Sequence, residues 1–106
     1  AHGGTRNNVT LLPHEVLNLA SSEVSIGDDR ILHRTSRFGH GFQLPTPERG
    51  FGPNMEAFGH FGAGGSVGFC DPVAKVGFGY VMNQMGPRWQ NPRNRALIDS
   101  LYSVLQ

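Results

Sequence analysis

Twelve residues in the middle of the chain, FGHFGAGGSVGF from Phe58 to Phe69, hold five glycines, one histidine and one serine. Three kinds of chemistry use such a stretch: backbone amides that cradle a phosphate, a serine raised on a strained turn, or a glycine-lined strand edge beside an acyl group in transfer. A dinucleotide loop needs G-x-G-x-x-G between a strand and a helix. Gly62 and Gly64 supply the first two glycines, but Val67 stands at the third position and a strand pattern comes after it. Gly64-Gly65-Ser66-Val67-Gly68 matches G-x-S-x-G letter for letter. A nucleophile elbow, however, turns from a strand into a helix, whereas Ser66 leads into VGFCDP, a strand entering a hairpin. Ser66 therefore reads as the start of a sheet strand.

Metal chemistry needs three or four converging ligands. His2, His14, His33, His40 and His60 form neither H-x-x-x-H nor H-E-x-x-H, and Cys70 is the only cysteine, so no metal or other cofactor is expected. His40 shares an apolar stripe and reads as a partly buried imidazole satisfied by backbone. His60 differs in its company: it precedes Gly62 on a run whose glycines would let a substrate lie against the backbone.

The elements that must position these residues emerge from periodicity. Residues 1–10, AHGGTRNNVT, are turn chemistry and read as an entry loop. Pro13 suits a first helical position, and Val16, Leu17, Ala20 and Val24 recur at helical spacing, predicting an amphipathic helix over 13–22. SIGDDR breaks it. A sheet is expected over 37–83, starting with Phe38, His40, Phe42 and Leu44 on one face of a strand. Pro45 to Asn54 reads as a surface loop, and three more strands are expected over about 57–62, 66–70 and 76–83. DPVAK, Asp71 to Lys75, joins the last two as a tight hairpin. Asn91 caps a helix over 91–106 with Pro92 behind it and Ala96, Leu97, Leu101, Tyr102 and Leu105 along one side. The order is helix, about four antiparallel strands, helix: an α+β fold. Strand glycines at Gly59, Gly68, Gly77 and Gly79 imply close approach by another element or by a ligand.

Bulk composition sets the bounds. At 106 residues the chain is one small unit, and its 15 Gly and 7 Pro make it turn-rich. The net charge is +1, and the eight arginines and Lys75 are scattered, so no case for nucleic acid or a membrane surface arises. A lone cysteine says nothing of the compartment. The chain opens on Ala1 rather than Met, as an excised piece would.

Taken as longer strings, FGHFGAGGSVGFCDPVAKVGFGYVMNQM and NPRNRALIDSLYSVL resemble the C-terminal end of the serine β-lactamase and penicillin-binding-protein superfamily, especially its class C-like, esterase and D-peptidase branches. GGTRNNVTLLPHEVLNLAS and RFGHGFQL resemble the segments that precede this end, so the likeness covers nearly the whole chain. The resemblance implies a partial β-lactamase/transpeptidase-like α/β domain and acyl-enzyme hydrolysis of an ester, amide or lactam. Three motifs make that family's site: S-x-x-K, a Tyr- or Ser-centred motif, and K-[ST]-G on a sheet-edge strand. His60-Phe61-Gly62 occupies the last place as an HxG variant, which implies a catalytic role for His60, Gly62 and the Ala63 amide, with Phe61 and Gly64 against the substrate. Phe61 lacks the hydroxyl of the usual Thr or Ser, which favours an ester- or amide-like substrate. Pro72 stands three residues before Lys75, and neither Tyr80 nor Tyr102 opens a Tyr-x-Asn motif, so the nucleophile and its base are expected outside these residues. The implied partner is the N-terminal part of the same enzyme, or a second copy of the chain, and the piece is expected to be inactive alone. The rival expectation is a stand-alone sheet-and-helix interaction module without catalysis.

Overall fold

The computed structural model describes residues 1–105; Gln106, the last residue of the helix expected over 91–106, lies outside the described residues. The order of elements is β1 (Thr5–Arg6), β2 (Val9–Thr10), α1 (His14–Ser21), β3 (Ser25–Asp29), β4 (Arg34–Phe38), β5 (Phe58–Phe61), β6 (Val67–Asp71), β7 (Val76–Tyr80) and α2 (Pro92–Leu105). The fold is α+β, with every strand pair antiparallel.

Two hairpins replace segments that composition reads as loop or breaker. In the first, β1 pairs with β2 around Asn7 and Asn8, at φ 50 and 62. Asparagine tolerates this left-handed region, so an Asn pair makes a two-residue hairpin turn where residues 1–10 suggest only an entry loop. In the second, Asp29 Oδ1 accepts the N–H groups of Ile31 and Leu32, turning the chain so that β3 meets β4. SIGDDR thus ends the helix by starting a strand.

The strand expected over Phe38 to Leu44 is not continuous. The Gly39 N–H bonds the Phe42 carbonyl, and Gly41 has φ 88, so the chain reverses there. The alternation of Phe38, His40, Phe42 and Leu44 comes from two short extended pieces on either side of a turn. His40 lands on the exposed turn rather than in a strand, with Nδ1 3.0 Å from the Leu19 carbonyl oxygen. Gln43 bridges both Phe38 and Gly59, and thereby joins the β3–β4 hairpin to the β5–β6–β7 sheet.

The core lies between one face of that sheet and α2, and contains Phe51, Ala57, Phe61, Val67, Phe69, Ile98 and Tyr102. Phe51 stacks on Phe61 at 5.0 Å and on Phe69 at 5.3 Å. Each buried ring of this kind contributes about 1.5–3 kcal/mol by leaving water. The Pro45–Asn54 loop is therefore no surface excursion: Pro45 and Thr46 are buried too, and Phe51 is the centre of the stack. Gly52 makes room for it, since a Cβ there would stand 2.1 Å from a Tyr102 ring carbon.

Helix α2 buries Asn94, Ile98 and Tyr102, spaced four apart along one ridge. Ala96, Leu97 and Leu105, expected on the packed side, are exposed. A buried polar residue, Asn94, marks the true inner face, and its hydrogen bonds explain why hydrophobic spacing alone points elsewhere. The opposite sheet face carries His60, Gly68 and Gly79 in one cross-strand row and Phe58, Cys70 and Gly77 in the next. Around Gly68, Gly77 and Gly79 an added Cβ would meet nothing within 4 Å, so this part of the face is smooth and open.

Candidate active site

Strand β5 leads straight into the His60–Gly64 segment. Gly62 continues it in extended conformation, with its N–H on the Ser66 carbonyl at 2.8 Å. The chain then turns through Ala63–Gly65, with Gly64 at φ 84 and Gly65 at φ 113, and re-enters the sheet as β6. Ser66 opens directly onto that strand, so the strand-to-helix geometry of a nucleophile elbow is not built here.

The turn is clamped from behind by the start of α2. Asn91 Nδ2 donates to the Gly64 carbonyl at 3.2 Å, and Asn94 Nδ2 donates to the Gly65 carbonyl at 3.0 Å. The Gly86 N–H adds a second bond to the Gly64 carbonyl at 2.9 Å. The two asparagines also cap each other: Asn94 Oδ1 accepts the Asn91 N–H at 3.1 Å, while Asn91 Oδ1 accepts the N–H groups of Arg93 and Asn94. These contacts explain the glycine pair. A Cβ at Gly65 would stand 2.3 Å from Asn91 Nδ2, and one at Gly64 would stand 2.4 Å from Met85 Cγ, both on left-handed backbone. Gly64, expected against the substrate, is instead buried against Met85 and lines neither of the hollows that meet at His60. Composition does not single out Asn94, although N-P-R-N at a helix start carries the spacing of a capping box.

With the carbonyls held, the amide of Ala63 is left over. Ala63 is exposed, and among the described residues its N–H donates to no acceptor. Beside it, the exposed ring of His60 places Nδ1 2.6 Å from the Phe61 carbonyl oxygen. A carbonyl only accepts, so Nδ1 carries the proton and Nε2 is the nitrogen left for other chemistry. Phe61 itself points the other way: it is buried in the core, stacked on Phe51 and edge-on to Trp89 at 5.0 Å. Its backbone belongs to the site edge and its ring to the core.

Two hollows meet at His60. One, about 220 Å³, lies toward β4 and is lined by Arg34, Phe38, Gln43, His60, Ala63 and Trp89 among others. The other, about 360 Å³, runs over the smooth face past Gly62, Ser66, Gly68 and Tyr80. In the first hollow the Arg34 guanidinium carbon sits 3.6 Å from the centre of the Trp89 ring. Burial, and then the neighbouring Arg49 charge, pull Arg34 below the usual guanidinium value against the pull of Asp29. Among the described residues no group of three or more His, Cys, Asp or Glu side chains could hold a metal ion. A strand edge ending in a free amide, an imidazole with a defined tautomer and an adjacent cationic hollow can bind a carbonyl oxygen as it becomes an oxyanion.

This arrangement has relatives. The Beta-lactamase family model matches residues 3–103. The chain belongs to the Beta-lactamase family. Among solved structures it is similar to a penicillin-binding protein homologue from Caulobacter crescentus, with 37% identity and a TM-score of 0.88 over 95% of this chain and 28% of that one. A family VIII carboxylesterase is 36% identical with a TM-score of 0.86, over 95% of this chain and 27% of that one. EstA from Arthrobacter nitroguajacolicus is 38% identical with a TM-score of 0.80, over 90% of this chain and 25% of that one. No curated protein matches the sequence. The chain therefore has a β-lactamase-like hydrolase fold and spans about a quarter of the length of these family structures.

Proposed function

We propose that this Beta-lactamase family chain supplies one wall of a serine acyl-transfer site: the HxG strand and half of an oxyanion hole. The observation that carries the reading is the unpartnered Ala63 N–H at the end of β5, beside His60 and held from behind by Asn91 and Asn94. The nucleophile belongs to an upstream S-x-x-K, since the only lysine, Lys75, lies on the β6–β7 turn with Pro72 three residues before it. An upstream serine hydroxyl attacks the carbonyl of an ester or amide; the carbonyl oxygen gains negative charge and meets the Ala63 N–H. Such a donor acts only as charge develops, and losing one costs about 2.7–4 kcal/mol of transition-state stabilisation. His60, with its Nδ1 proton held by the Phe61 carbonyl, offers Nε2 to accept or return a proton in the same network. Gly62, without a side chain, lets the substrate backbone or acyl stem lie along the strand.

The rest of the site, on this reading, comes from the partner that covers the open face around Gly68, Gly77 and Gly79: the upstream part of the same enzyme, or a second copy of the chain. The decisive experiment measures p-nitrophenyl ester turnover by the 106-residue chain alone and by the longer polypeptide that carries an upstream S-x-x-K. Turnover only by the longer form, lost when the upstream serine becomes Ala, is the expected result. Turnover by the chain alone that disappears in Ser66→Ala would overturn it.

A further inference from the structure

We propose that Gln43 closes the outer edge of β5 to extended peptides, so that the substrate is a single acyl group rather than one with a peptide backbone behind its scissile carbonyl. Only the word substrate rests on the acyl-transfer reading; the closed edge stands on the chain's own hydrogen bonds.

Along a strand the backbone groups alternate in direction, the N–H and carbonyl of each residue pointing to the same side. The N–H of the extended Gly62 bonds the Ser66 carbonyl, so Phe58, His60 and Gly62 face β6, while Gly59, Phe61 and Ala63 face outward. At Gly59 both outward groups are taken by the Gln43 backbone. The Gln43 N–H donates to the Gly59 carbonyl at 2.7 Å, and the Gly59 N–H donates to the Gln43 carbonyl at 3.1 Å. At Phe61 the ladder would continue, but two side chains end it. Gln43 Oε1 accepts the Phe61 N–H at 3.4 Å, and His60 Nδ1 donates to the Phe61 carbonyl at 2.6 Å. Of the three outward N–H groups, only that of Ala63 has no acceptor.

A peptide that adds to a sheet edge needs both backbone groups at every second residue of that edge. Here it meets one N–H, at Ala63, and finds Phe61 and Gly59 already engaged. A single carbonyl oxygen needs only that one N–H. Gly62 leaves room for a peptide backbone or an acyl stem, and the capped edge decides for the stem. A peptide that displaced the Gln43 amide would exchange one hydrogen bond for another, and would still meet a Phe61 carbonyl held by His60. Gln43, His60 and Ala63 line the same hollow, so the cap and the free N–H face the same occupant. Gln43 thus acts on which acyl group fits, not on the bond that breaks.

The test compares two p-nitrophenyl esters with the same leaving group, the butyrate and the ester of N-acetyl-trialanine, on the longer polypeptide that carries an upstream S-x-x-K. The butyrate is expected to show a kcat/KM at least about tenfold higher. Gln43→Ala frees the Phe61 N–H and is expected to shift that ratio about tenfold toward the peptide ester. Gln43→Glu, which keeps an acceptor oxygen, should hold the ratio near its original value. In the 106-residue chain, Gln43→Ala should speed hydrogen exchange at the Phe61 amide about tenfold relative to the Gly59 amide, whose bond to the Gln43 backbone is kept. A peptide ester turned over as well as the butyrate by the unsubstituted enzyme, a ratio unmoved in Gln43→Ala, or unchanged Phe61 exchange would overturn the proposal. The first comparison needs no variant, so it decides even if Gln43→Ala fails to fold. Absence of turnover with either ester, together with faster Phe61 exchange in Gln43→Ala, would count against the acyl-transfer reading and leave the closed edge standing.

Discussion

Among individual residues, the proposed acyl-transfer site assigns the chemistry to His60 and the Ala63 amide, and Asn91 and Asn94 hold the turn that carries that amide. His60→Ala in the turnover-competent polypeptide is expected to lower kcat about 100-fold or more, the usual weight of a positioned acid–base group, with a smaller change in KM. Steady-state ester kinetics check this, and an unchanged kcat would remove His60 from the proton network. Asn94→Ala deletes two donations, to Gly65 and Trp89 carbonyls, and one acceptance from the Asn91 N–H. Leaving buried groups unsatisfied costs about 1–3 kcal/mol each, so a loss of at least about 2 kcal/mol in urea unfolding is expected. Because the lost bonds hold the Ala63 turn, the same variant should lower kcat as well.

Between elements, the β6–β7 hairpin and α2 are locked together by Asp71. Its carboxylate accepts from the Val73 and Ala74 N–H groups inside the turn, from Asn54 Nδ2, and from the Tyr102 hydroxyl at 2.5 Å. Burial pushes the Asp71 carboxyl up, but the Tyr102, Ala74, Asn54 and Val73 donors together outweigh it, and the group titrates below its ordinary value. The lock's contribution is therefore fully present above the unfolded carboxyl value of about 3.9 and is lost as pH falls through the lower folded value. Tyr102 is shifted the other way, upward, by burial first and then by its bond to Asp71. Its contribution holds below the unfolded phenol value of about 10 and fades as pH rises beyond it. Urea midpoints tracked against pH should show a plateau bounded on both sides, and Asp71→Asn should flatten the acid limb. An unaltered acid limb in that variant would mean the lock is not what titrates.

Across the molecule as a whole, much surface is left that the chain does not cover. Helix α1 buries none of its residues, and Val16 and Leu19 are 46% and 61% exposed. On the sheet, Gly68 and Gly79 could each accept a methyl group without touching anything. Replacing a strand glycine by alanine ordinarily stabilises by about 0.5–1 kcal/mol, so Gly68→Ala should raise the melting temperature of the isolated chain. In the longer polypeptide, where the proposed partner lies on this face, the same change should lower activity or stability. A gain in both settings would mean that nothing packs there.

Much of this was legible in the residues, for identifiable reasons. Asn91-Pro92 announces a helix start, DPVAK announces a hairpin, and the β5–β7 alternation survives because each of those strands is continuous over four or five residues. The β1–β2 hairpin and the Gly39–Gly41 reversal were hidden because two-residue ladders and a turn between two extended pieces leave no periodic signal. The family likeness comes from residue order alone, since it depends on residue types along the chain. Folding was needed to reveal that Phe51 from a Pro/Gly loop centres the core, and that Phe61 turns its ring inward. It was needed again for the two asparagines, about thirty residues downstream, that hold the glycine pair. Those facts depend on which distant groups meet, through hydrogen bonds and ring contacts that have no period in the sequence.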